Sequence, residues 1–204
     1  MAQESGDPAV QGRVGHRPRT RPLSDAHRET LRKVALDSIE HGLGTGGPLE
    51  PDLAEVPPVL CDPGAVFVTL HRDGRLRGCV GSLEARRPLI HEVARSAYSA
   101  AFNDYRFRPL SESEISGLDI HISLLTPLEP FPVKDRGELL KKLRPGRDGL
   151  LLEDPPHRST FLPQVWNSLP DPVDFLEELL LKAGLARDHW SRTLSFHRYE
   201  VEEF

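Results

Sequence analysis

From Ser24, whose short hydroxyl side chain suits a helix N-cap, apolar residues recur at Leu31, Val34, Ala35, Ile39 and Leu43. That spacing predicts an amphipathic helix ending near Gly42 or Gly44. Residues 45–58 are rich in proline and glycine and predict a loop. In GAVFVTLHRDGRLRGCVGSL the pattern changes to two β-rich runs on either side of Asp73-Gly74, a strong hairpin signal. Pro88 then suits the first turn of a helix carrying Leu89, Val93, Ala97, Ala100 and Ala101 on one side. With Ala94 also small, that helix is able to lie close against a sheet.

Beyond the loop NDYRFRPL, Ser111 and Glu114 have the spacing of a capping box, and LDIHISLL alternates as a strand until Thr126-Pro127 stops it. Residues 127–170 are broken by prolines and predict a short helix over 138–143, a turn and strand at GRDGLLLED, and the segment STFLPQVW. Asp171-Pro172 opens a last helix with Phe175, Leu176, Leu179 and Leu180 inward and Gly184 closing it. TLSFHRYEVEEF reads as one terminal strand. Strands and helices mixed without regular βαβ alternation predict an α+β fold with a largely antiparallel sheet flanked by helices.

Composition narrows the functional classes. The net charge of -5 gives no global field that would draw the chain to nucleic acid or an anionic membrane. No apolar run approaches the roughly 20 residues that span a bilayer, and no apolar segment follows the N-terminal arginines as in a secretory signal. The expected location is the cytoplasm. Residues 1–22 lack hydrophobic period and carry Arg13, Arg17, Arg19 and Arg21, which predicts a disordered basic tail ahead of one folded unit over 23–204. The two cysteines, Cys61 and Cys79, are too few for a disulfide scaffold. The nine histidines form no HExxH or zinc-type cluster, so neither a metal nor a cofactor is expected.

LRGCVGSL, AAFNDYRFRPL, ISLLTPLEP, GRDGLLL, FLPQVW, FLEELLLKAGL and RYEVEEF occur in an order that closely resembles the AMMECR-domain family, whose prokaryotic members are called AmmeMemoRadiSam system protein A. The resemblance covers about residues 24–204. It implies a two-part α+β fold, a larger antiparallel sheet with helices plus a smaller second subdomain, and a cleft near the RGC segment. It also implies working association with a Memo-like protein and a radical-SAM protein. It carries no settled activity.

Within that segment Cys79 is the candidate nucleophile. Arg77, two residues away on one strand face, places a positive charge that favours thiolate, and Gly78 and Gly81 allow a ligand to approach the backbone. Equally, Cys79 reads as a small buried hydrophobe. Hairpin register bears on the choice. A two-residue turn at Asp73-Gly74 sets Cys79 opposite Val68, whereas a three-residue loop with a glycine bulge sets it opposite Phe67, on the face of Thr69 and His71.

A thiol nucleophile needs a base, and His121 or His71 is the candidate, with Asp148 or Asp104 to orient it. His121 also reads as an exposed sheet histidine. Asn103, Asp104 and Arg106 suit a carboxylate or phosphate ligand, although Arg106 is equally able to pair with Asp104. Asp148 lies in a possible anion-binding turn, and Gln164 offers a polar group among the apolar residues of FLPQVW. Two functions follow. One is an enzyme, or enzyme subunit, acting on a small molecule around Arg77, Cys79, Arg106 and Asp148. The other is a non-catalytic binding module for the Memo-like and radical-SAM partners.

Overall fold

The protein is described from a computed structural model covering residues 23–204. The basic segment 1–22 lies outside the described residues. Helix α1 (Asp25–Thr45) starts where Ser24 predicts, with the Ser24 hydroxyl accepting from His27 N–H and the His27 ring meeting Ser24 N–H. It does not stop at Gly42 or Gly44, and Gly46 closes it in the left-handed region at φ 75°. Gly42 serves packing instead: a Cβ there would stand 2.6 Å from the Tyr98 ring, so its lack of side chain lets α1 press onto the next long helix. At the end of the predicted loop one short helix begins, α2 (Pro58–Cys61).

Strands β1 (Ala65–Arg72) and β2 (Arg75–Gly81) form the predicted hairpin, with Asp73 and Gly74 both at positive φ. Helix α3 (Leu89–Phe102) follows Pro88, and β3 (Leu118–Leu125) returns beside β1. Val66, Val68, Leu70, Ile122 and Leu124 turn one sheet face toward Leu31, Ala35 and Ile39 of α1 and Ile90, Val93 and Ala97 of α3. Phe67, Thr69, His71, Asp119, His121 and Ser123 therefore share the other face, because side chains alternate along each strand.

The second half comprises β4 (Glu129–Pro130), α4 (Arg136–Lys142), β5 (Gly149–Asp154), β6 (His157–Phe161), α5 (Pro172–Lys182) and β7 (Ser195–Tyr199). Its core joins Leu139, Leu150, Leu152, Phe175, Leu179 and Phe196 to Trp166, which stacks on Phe175 with ring centroids 3.8 Å apart. The terminal segment read as one strand divides. Tyr199 ends β7 in the second sheet, and β8 (Val201–Glu203) pairs with β3 in the first. At the crossing, Thr126 N–H donates to Glu200 O and Glu200 N–H donates to Thr126 Oγ1, each at 2.9 Å.

The result is an α+β fold of two antiparallel four-stranded sheets, ordered β2-β1-β3-β8 and β4-β7-β5-β6. A third apolar cluster bridges them: Ala65, Phe67 and Leu125 from the first sheet pack with Tyr199 and Leu162. The polar face of the first sheet meets the 3-10 turn at Pro163–Asn167, where Gln164 bonds Ser123.

Candidate functional site

The hairpin register matches neither of the two alternatives. The turn has two residues, pairing Arg72 with Arg75 and His71 with Leu76, but a bulge then leaves Arg77 without a cross-strand partner and pairs Gly78 with Leu70. That single extra residue shifts everything beyond it. Cys79 lies opposite Thr69, neither Val68 nor Phe67, and so occupies the polar face with His71 and His121.

Thr69 Oγ1 donates to Cys79 Sγ at 3.3 Å, and the sulfur is only partly buried. The outer backbone edge of Cys79 is clamped by residues of NDYRFRPL. Cys79 N–H donates to Asp104 Oδ2 at 2.9 Å, and Arg106 Nη2 donates to Cys79 O at 3.3 Å. Asp104 and Arg106 pair with each other at 2.6 Å, so together they cap the sheet edge at this position. The Arg106 hydrogen bond, helped by the N–H groups of Cys79 and Arg106, holds the Asp104 carboxyl well below the usual carboxylate range against its burial. The same pairing raises the Arg106 guanidinium.

Arg77 is not the cation beside the sulfur. At the bulge its guanidinium turns to Glu114, with Nε to Oε1 at 2.9 Å, and to Arg108 O at 3.0 Å. Arg77 and Glu114 are both buried, and the pair holds Glu114 far below its ordinary range. The glycines also have packing reasons. A Cβ on Gly78 would stand 2.0 Å from Ala100 O of α3, and one on Gly81 would stand 2.2 Å from Val66 O. Asn103 ends α3 through its backbone N–H to Ser99 O, with an exposed side chain.

His121 shares the transverse row of Cys79 and Thr69 but is two strands away, about 10 Å at ordinary strand spacing. Its Nε2 faces Asp119 Oδ2 at 2.9 Å, and its ring meets His71 edge-on at 5.2 Å. The two histidines thus meet edge-to-face on the polar face, and neither is bonded to the sulfur. Asp148 is fully enclosed in the second half, with both carboxylate oxygens taken by Arg144. It is a structural acid, unavailable to a ligand. Gln164 does reach this face: its amide donates to Ser123 Oγ at 3.3 Å and to Glu203 at 2.9 Å, tying the 3-10 turn to β3 and β8. Gln164 Oε1 and His71 Nδ1 are buried atoms without a hydrogen-bond partner.

Three further residues near this segment carry no site role in the sequence reading. Thr69 was visible as a polar residue within β1, but its contact with sulfur depends on the bulge. Glu114 was visible only as a capping-box acid, and it does accept from Ser111 as well as from Arg77. Lys182, the last residue of α5, gave no local signal at all. Its Nζ donates to Thr160 O at 2.9 Å and lies 5.0 Å from the Phe161 ring centroid. Burial lowers the Lys182 ammonium, with Cys79 opposing that and the Arg106 charge adding to it. Three surface depressions of about 460, 630 and 720 Å³ lie at the hairpin tip and along α1, and Cys79 lines none of these three.

The sequence profile of the AMMECR1 family matches residues 32–204. The chain belongs to the AMMECR1 family. A protein of Methanothermobacter thermautotrophicus is 39% identical over 188 residues, 90% of this chain and 96% of its own length. Protein PF1979 of Pyrococcus furiosus is 36% identical over 178 residues, 82% of each chain. The crystal structure of the uncharacterised protein PH0010 from Pyrococcus horikoshii superposes with a TM-score of 0.82 at 33% identity, covering 89% of this chain and 92% of that one. The two-sheet α+β architecture of this AMMECR1 protein is therefore that of a solved family fold. Among the described residues, no group of three or more His, Cys, Asp or Glu is arranged to hold a metal, and no helix is long and apolar enough to cross a membrane.

Proposed function

We propose that this AMMECR1 protein is a cytoplasmic enzyme, or enzyme subunit, acting on a small molecule bound between the polar face of the first sheet and β6 and α5. Cys79 is its nucleophile. The observation that carries this reading is the presentation of the sulfur: partly open, on the polar face, accepting from Thr69 and fixed through its backbone by Asp104 and Arg106. A hydroxyl donor supports charge developing on sulfur, and a clamped backbone holds the group in one place. The resemblance to AmmeMemoRadiSam system protein A supports a Memo-like protein and a radical-SAM protein as its working partners.

Replacing Cys79 by serine in the cell tests the reading. The expected result is a small-molecule profile that matches deletion of the whole chain, from a variant whose melting temperature is unchanged. A profile matching the unmodified strain overturns the nucleophile role.

One observation favours a second reading, a non-catalytic binding module for the same partners. The sulfur's side-chain partner is a threonine, while His121 is engaged by Asp119. Co-purification separates the two. A stable complex with the Memo-like or radical-SAM protein that survives Cys79→Ala, together with an unmodified profile in Cys79→Ser cells, supports the module.

A further inference from the structure

Across the face that carries Cys79 lies a cation with no matching acid. Arg106, the nearer candidate, spends its charge on Asp104 through contacts at 2.6 and 2.9 Å. Lys182 is different: among the described residues it has no carboxylate within ion-pair distance, and its recorded contacts are the Thr160 carbonyl and the Phe161 ring. An ammonium held against a carbonyl and an aromatic face has no countercharge of its own and is open to an anionic partner.

Several contacts bring this lysine to the Cys79 side independently of its electrostatics. Arg158 of β6 reaches Glu84, just beyond β2, at 3.8 Å. Leu162, next to Phe161, packs against the Ala65, Leu125 and Tyr199 cluster, on which Phe67, Leu83 and Ala85 also pack. Gln164 then bonds Ser123, which pairs with Phe67 in the transverse row next to that of Thr69. The end of β6, and Lys182 over it, is therefore laid along the row adjoining Cys79. Two buried polar atoms of this region, His71 Nδ1 and Gln164 Oε1, also lack partners. Buried polar atoms are satisfied in the great majority of cases, and a ligand with polar groups of its own would satisfy these.

We propose that Lys182 is the anion-receiving group of the Cys79 site, so that its ligand is a small molecule bearing a carboxylate or phosphate. This rests on the reading that a ligand binds at Cys79, but not on Cys79 acting as nucleophile. Lys182 fixes the oxyanion from the second half of the molecule while Cys79 and Arg106 line the first. A ligand of that kind touches both halves at once, which explains why the cation comes from α5.

The test compares alkylation of Cys79 by iodoacetate, an anion, with alkylation by neutral iodoacetamide. It uses the full chain carrying Cys61→Ser, so that Cys79 is the remaining thiol. The ratio of the two rates cancels any change in thiolate content and reads the local potential. Lys182→Met keeps the stem over Phe161 and removes the charge. It is expected to lower the iodoacetate to iodoacetamide ratio about fivefold, the order of one partly screened charge at close range. Lys182→Arg keeps the ratio, and inorganic phosphate slows iodoacetate in the parent but not in Lys182→Met. An unchanged ratio in a well-folded Lys182→Met overturns the proposal, as does a Cys79 that neither reagent reaches. The nucleophile reading fails separately, through the cellular profile of Cys79→Ser, and its failure leaves this ratio untouched.

Discussion

Thr69 and Cys79 face each other across the β1–β2 hairpin, and the threonine hydroxyl donates to the sulfur at 3.3 Å. The pairing exists because the strand bulges at Arg77. Without that extra residue, the regular register would have set the thiol against Val68, whose side chain is fully buried beneath α1 and α3. One inserted residue thus separates a core cysteine from a presented one.

Thr69→Val keeps the shape and removes the donor. It is expected to slow alkylation of Cys79 by iodoacetamide roughly fivefold, since a neutral hydrogen bond contributes about 1 kcal/mol. Thermal stability should change by less than about 1 kcal/mol. An unaltered alkylation rate would show that the hydroxyl gives the sulfur nothing.

Glu114→Gln leaves the buried Arg77 guanidinium without its countercharge. Removing one partner of a buried pair costs about 3 kcal/mol. For a chain of this size that is a fall of roughly 6–12 °C in melting temperature. Calorimetry measures it, and a shift under about 2 °C would deny the pair its structural role.

Gly78→Ala pushes a methyl into the Ala100 carbonyl of α3, at a distance no relaxed side chain adopts. The sheet and helix must part, and the expected cost is about 1–3 kcal/mol in a denaturant titration. An unchanged midpoint in the Gly78→Ala variant would restore the idea that this glycine serves a ligand.

Acid stability follows from Asp104 and Glu114, both held well below their ordinary values by arginine. In the unfolded chain these carboxyls take up protons near pH 4, whereas the folded chain still excludes them. The unfolded state then binds more protons, so stability falls as pH drops below about 4 and through the folded values. From pH 6 to 8 the two groups contribute no slope. Asp104→Asn should flatten the acid limb of midpoint against pH, and an unchanged limb would deny Asp104 that role.

Much of the fold was legible because its signals are local. Ser24 begins α1, Asp73-Gly74 turns the hairpin, and the alternation of LDIHISLL is β3, each decided by a few neighbouring residues. Where long-range packing decides, the pattern misled. Gly42 looked like a helix end but is a contact with Tyr98, and the even alternation of RYEVEEF hid a strand that changes sheets at Glu200. The candidate residues were legible as types but not as partners. Cys79 lies on the polar face, Asp104 and Arg106 cap the sheet edge at its backbone and Gln164 meets Ser123, whereas Arg77 and Asp148 looked equally available and are taken by Glu114 and Arg144. A bulge leaves no mark in residue type, and Lys182 lies in a helix about a hundred residues further along the chain than Cys79.

A site at Cys79 requires the thiol to be presented and not packed away, and its alkylation in the folded chain measures that directly. With Cys61→Ser in place, iodoacetamide at neutral pH is expected to modify Cys79 within about tenfold of its rate in the denatured chain, because no unfolding is needed to reach it. Protection of roughly a hundredfold or more, relieved only as the protein unfolds, would place Cys79 in the core and contradict the site.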